Sequence, residues 1–113
     1  MSRQASGLKA WIYQRASAIY LLLFFPYVIG YFIFSAPADH ADWQAWVAHP
    51  LVSLGLILFF ASLLIHAWIG IRDVLIDYVH PVSARYIALS FFAFVLIACA
   101  GWAMQIIVLA HAG

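Results

Sequence analysis

The residues that invite chemistry lie in one run, SLLIHAWIGIRDVLIDYVHP, from Ser62 to Pro81. It opens as apolar as lipid, sets His66 in the middle of that character, and then carries Arg72, Asp73, Asp77 and Tyr78. In a helix that turns about 100° per residue, Gly70, Asp73 and Asp77 fall within roughly 40° of the His66 direction. Trp68 points nearly the other way. One stripe therefore reads His, Gly, Asp, Asp, and the bare Gly70 lets something flat and bulky approach the backbone one turn from the imidazole. An ionisable group inside an apolar helix is costly, which makes function the default expectation. Three chemistries are open to this stripe: a structural hydrogen bond to a neighbouring helix, a proton relay through the aspartates, or axial ligation of a haem. A haem needs only one or two imidazoles and can take them from two chains; the glycine favours it. A transition-metal site is disfavoured, because no second His or Cys stands three or four residues from His66.

Asp77 and Tyr78 lie roughly 16–18 Å further along the helix axis. A tyrosine at that depth is often an aromatic-belt residue. Beside an aspartate it also suits a quinone, which needs an apolar pocket, a hydrogen-bond donor to a carbonyl oxygen and a proton route to water.

The elements that must carry these residues follow from composition. The chain has 113 residues, 68% hydrophobic and 8% charged. A soluble domain of this length leaves too much surface in water to hide so much apolar area, so lipid is the expected solvent. A bilayer core takes about 20 apolar residues in a helix. Three segments qualify: about 16–34, about 51–79 with a polar-tipped end, and about 85–109. Pro26 is expected to kink the first. The connector SAPADHADWQAWVAHP is expected to hold a short interfacial helix, since Trp43 and Trp46 are one helical step apart and suit the headgroup region. The fold class expected is all-α, a single three-span transmembrane domain over residues 1–113. A bundle this small has little room to enclose a substrate, so it is expected to pack with a further membrane subunit.

All five basic residues, Arg3, Lys9, Arg15, Arg72 and Arg85, fall at the N-terminus or around the second connector. Positive-inside counting puts the N-terminus and that connector in the cytoplasm, and the first connector and the C-terminus outside. The basic N-terminal residues do not follow the pattern of a cleaved signal peptide. A net charge of +1 gives no nucleic-acid signal. One cysteine, Cys99, excludes an intrachain disulfide and reads as a small hydrophobe. His40, His49, His80 and His111 fall in loops, helix ends or the tail, where solvated or interfacial roles are expected. Arg15, at the inner end of the first span, is a headgroup anchor or, at that depth, a partner for haem propionates.

The run HAWIGIRDVLIDYVHP, together with QRASA at the start of the first span, resembles the small hydrophobic anchor subunit of succinate dehydrogenase, in respiratory complex II. The resemblance covers length, span number, orientation and both motifs. It implies that His66 is an axial ligand to the iron of haem b, with the other ligand supplied by a second membrane anchor subunit. It further implies that Tyr78 and Asp77 belong to the quinone site, and that Arg15 lies near the haem propionates with Gly70 beside the haem. FAD and iron–sulfur clusters would belong to a flavoprotein and an iron–sulfur subunit. The expected location is the bacterial cytoplasmic membrane or its equivalent, with electrons of the tricarboxylic acid cycle passing from succinate to quinone. Some family members carry a histidine where Lys9 stands, and neutral residues at Arg72 and Asp73. Those two adjacent charges point about 100° apart and need not pair. A fumarate reductase anchor, a non-redox anchor whose His66 only bonds across helices, and a proton-conducting subunit are the alternatives. The last is weakened because the first and third spans offer no buried acid or histidine to continue a path.

Overall fold

The structure is a computed structural model; it describes the backbone of residues 3–112 and the side chains of residues 7–112. The side chain of Arg3, counted above among the basic residues, lies outside the described residues. Four helices follow in order: α1 (Arg3–Phe34), α2 (His40–Ala48), α3 (Pro50–Tyr78) and α4 (Val82–Ala112). Three of them, over Gly7–Phe34, Pro50–Tyr78 and Val82–Ala112, are long and apolar enough to cross a membrane. These match the three expected spans, but the helices are longer than the apolar segments. Hydropathy marks the thickness of the hydrocarbon, whereas a helix continues for as long as its backbone stays paired. The bundle is 50 Å long, beyond the roughly 30 Å of a bilayer core. Pro26 lies inside α1.

The expected short helix is α2, and its start explains two aspartates that sequence alone left without a role. Asp39 is the N-cap and accepts from the Asp42 backbone N–H at 2.9 Å, while the Asp42 carboxylate accepts from the Ala38 N–H at 3.2 Å. This is the reciprocal logic of a capping box, with a carboxylate at each end. α2 buries Val47 against Ile107 and Ala110 of α4, and lays Trp46 flat on Tyr31 of α1, with ring centroids 4.5 Å apart. Pro50 opens α3 at its first turn, where it forfeits no hydrogen bond, and His49 accepts from the Leu51 N–H.

α3 is the central element. It packs on α1 along one side and on α4 along the other. The α1–α3 seam is aromatic and tight. Phe24 stacks on Tyr20 and tilts against Phe59, and Tyr20 donates a 2.7 Å hydrogen bond to the Gly55 carbonyl. Phe24 lies directly over Gly55: a methyl group there would stand 2.6 Å from the ring. Since the ring is held by both neighbours, it cannot swing away freely. Gly55→Val is expected to destabilise the bundle by about 1–3 kcal/mol, the usual cost of overpacking. The check is the midpoint of thermal unfolding of the purified assembly, against Gly30→Ala, where the added methyl meets open space. An unchanged midpoint for Gly55→Val refutes the tight seam.

α3 and α4 are tied at both ends. Near the turn between them, Arg85 donates to the Val79 carbonyl at 3.1 Å and to the Ile76 carbonyl at 3.2 Å, taking up acceptors that the end of α3 leaves open. At the other end, the Ser53 hydroxyl donates to the Val47 carbonyl, and His111 Nε2 stands 2.6 Å from the Ser53 hydroxyl oxygen. His111, exposed near the end of α4 as its position suggests, thus also ties α4 to α3.

Candidate haem and quinone site

His66 stands at mid-length of α3, half-buried, in the seam with α1. Its Nδ1 lies 3.3 Å from the hydroxyl oxygen of Ser17, which is only 6% exposed. The same hydroxyl donates to the Gln14 carbonyl, one turn back on α1, at 3.0 Å. Ser17 belongs to the QRASA run, but sequence reasoning gave it no role of its own. The available signal was a small polar residue among apolar ones, near the start of a span.

Gly70 follows one turn below. Within 4 Å of the position that a Cβ would take there is no other side chain, so the backbone is uncovered on this side. Asp73 and Asp77 are exposed, and Tyr78, the last residue of α3, is 77% exposed. The stripe expected from helical periodicity lies within one α-helix, because α3 runs without a break from His66 to Tyr78. The described side chains offer these groups little cover beyond Ser17.

Arg15 is not brought to His66. It lies two residues from Ser17 along α1 but about 160° round the helix, exposed, with its guanidinium 5.4 Å from the centre of the Trp11 ring. Lys9 is placed elsewhere. With Tyr13, Trp68, Arg72, Ile97 and Ala100 it lines a groove of about 720 Å³ on the side of α3 away from the stripe. Trp68 does face away from His66, as its position in the helix predicts. Arg72 and Asp73 do meet, at 3.4 Å, although adjacent positions of a helix point about 100° apart. The long arginine side chain bends back to its neighbour, and the exposed pair contributes little to stability.

The arrangement can hold a flat cofactor by one imidazole over uncovered backbone, and at a second level it presents a phenol and a carboxylate to water. The model of the succinate dehydrogenase/fumarate reductase transmembrane subunit family matches residues 1–101. The chain belongs to this family. It is also similar to the succinate dehydrogenase hydrophobic membrane anchor subunit of Coxiella burnetii (strain RSA 493 / Nine Mile phase I), with 25% identity over 105 residues, 93% of this chain and 91% of that one. As a succinate dehydrogenase/fumarate reductase transmembrane subunit, the chain is a multi-pass membrane protein and an anchor. Family membership covers all three spans down to the middle of α4, and with them every residue of the stripe.

Proposed function

We propose that this anchor serves a succinate:quinone oxidoreductase of the bacterial cytoplasmic membrane or an equivalent one. In this role it gives one axial ligand to haem b and forms part of the site where quinone is reduced. The observation that carries the proposal is the pairing on α3 of a half-buried imidazole with an uncovered Gly70 one turn away, on a stripe that ends in Asp77, with Tyr78 next to it at the end of the helix. These residues fit the group: neutral imidazole is an iron ligand, and the bare glycine gives a macrocycle room. His66 would hold the iron, and Gly70 would leave room for the macrocycle beside it. Arg15, close to Ser17 in depth but turned toward Trp11, would have to swing round α1 to offer the propionates a cation. When bound, the haem supplies one-electron storage beside the quinone.

Quinone is the substrate. Its reduction takes two electrons and two protons. The Tyr78 hydroxyl donates a hydrogen bond to one carbonyl oxygen, stabilising the negative charge that gathers there as electrons arrive. The Asp77 carboxylate, exposed at the end of the helix, passes protons from water toward that oxygen. FAD and iron–sulfur clusters held by a flavoprotein and an iron–sulfur subunit would supply the electrons. The second haem ligand comes from a second membrane anchor subunit. The distribution of basic residues supports a cytoplasmic N-terminus and α3–α4 connector, with the C-terminus outside.

Purification of the assembly in mild detergent tests this. A flavoprotein, an iron–sulfur protein and a second membrane subunit are expected to accompany the chain, with a b-type band in the reduced-minus-oxidised spectrum. An intact assembly lacking both haem and quinone would instead mark a non-redox anchor.

A further inference from the structure

We propose that Ser17 is the positioning residue of His66: its hydroxyl fixes the imidazole tautomer and rotation that turn Nε2 toward the iron. The inference rests on His66 being an iron ligand. A serine hydroxyl has one hydrogen, and here it is directed to the Gln14 carbonyl at 3.0 Å. The lone pairs of the oxygen remain for His66 Nδ1, 3.3 Å away. In the neutral ring Nδ1 is then the protonated nitrogen, and Nε2 keeps the lone pair that a metal needs. The back-bond to Gln14 holds the serine oxygen in place, as short hydroxyl side chains do in apolar helices. The contact crosses from α1 to α3, so it also fixes the ring about its own bond to the backbone. Ser17 is buried at 6% exposure, which leaves water little access to take over as acceptor.

A hydrogen bond from the distal N–H of a ligating histidine raises its basicity and favours the higher oxidation state of the metal. The neutral serine does this weakly, as suits a haem that must accept electrons readily. Loss of the bond therefore raises the reduction potential and frees the ring to rotate.

The test uses the whole complex with Ser17→Ala and Ser17→Thr, and reads the haem midpoint potential and the low-temperature electron paramagnetic resonance of the ferric haem. Succinate oxidation by an artificial acceptor, measured on the soluble subunits, controls for assembly. The expected result is an upward shift of the potential and displaced or broadened g-values for Ser17→Ala, with both near wild type for Ser17→Thr. If Ser17→Ala fails to assemble, Ser17→Cys keeps the volume with a much weaker acceptor and is read in the same way. An unaltered potential and ferric spectrum in the assembled Ala or Cys variant overturns the role of Ser17. If the haem spectrum survives His66→Ala, the ligand assignment itself has failed, and the role of Ser17 falls with it. The two failures are told apart by which variant is silent.

Discussion

Replacing His66 with alanine is expected to abolish the six-coordinate b-type spectrum of the complex. The iron would lose one of its two axial ligands, and no other histidine of this chain can take its place. His111 is engaged with Ser53 at the far end of the bundle, His49 caps the start of α3, and His40 opens α2. His80 lies past the end of α3, two residues beyond Tyr78. Outer-shell partners of metal ligands alone are worth about 10–100-fold in affinity, so loss of the ligand itself is expected to exceed that. The measurement is haem content per flavin, with His111→Ala as the control that keeps its haem. Retention of a normal spectrum in His66→Ala would overturn the haem assignment and leave the cross-helix hydrogen bond as the whole role of the residue.

Tyr78→Phe is expected to lower quinone reductase turnover by about 100-fold, within the range for removal of one donor to a developing oxyanion. The change is confined to one oxygen at the tip of α3, which is 77% exposed. Packing and haem binding should therefore remain intact. Succinate oxidation through an artificial acceptor should be unaffected, because it bypasses this chain. Asp77→Asn is the companion measurement. If the carboxylate relays protons, its loss should fall mainly on turnover at high pH, where water supplies protons poorly. Equal quinone reduction by wild type and Tyr78→Phe at saturating succinate would remove the main support for the quinone level.

Much of this was legible before any coordinates. Span number follows from apolar length, and the His66–Gly70–Asp73–Asp77 stripe follows from helical periodicity alone, because an uninterrupted helix fixes relative direction. α2 is legible from its tryptophans; its caps, Asp39 and Asp42, show only in the structure. What escaped the sequence was cross-helix pairing. Ser17 to His66, Ser53 to His111 and Tyr20 to Gly55 join residues tens of positions apart, and their partners depend on how α1 and α4 are rotated against α3. Single-helix geometry carries no information about that rotation. The same limit applies to Arg72 and Asp73: helical position separates them by about 100°, and only the reach of a flexible arginine brings them together. Arg15 shows it most clearly: depth was readable from position, whereas the turn of its side chain toward Trp11 was not.

The two polar ties between α3 and α4 carry a mechanical consequence. Arg85 clamps one end and the Ser53–His111 contact clamps the other, on helices of 29 and 31 residues. A hairpin fastened at both ends resists axial slip. When bilayer thickness changes, the pair therefore accommodates by tilting as one body. α4 brings no chemistry of its own to the stripe; it acts as a strut. It keeps the tip of α3, and Tyr78 with it, in fixed register with α4 as the surrounding lipid thickens or thins.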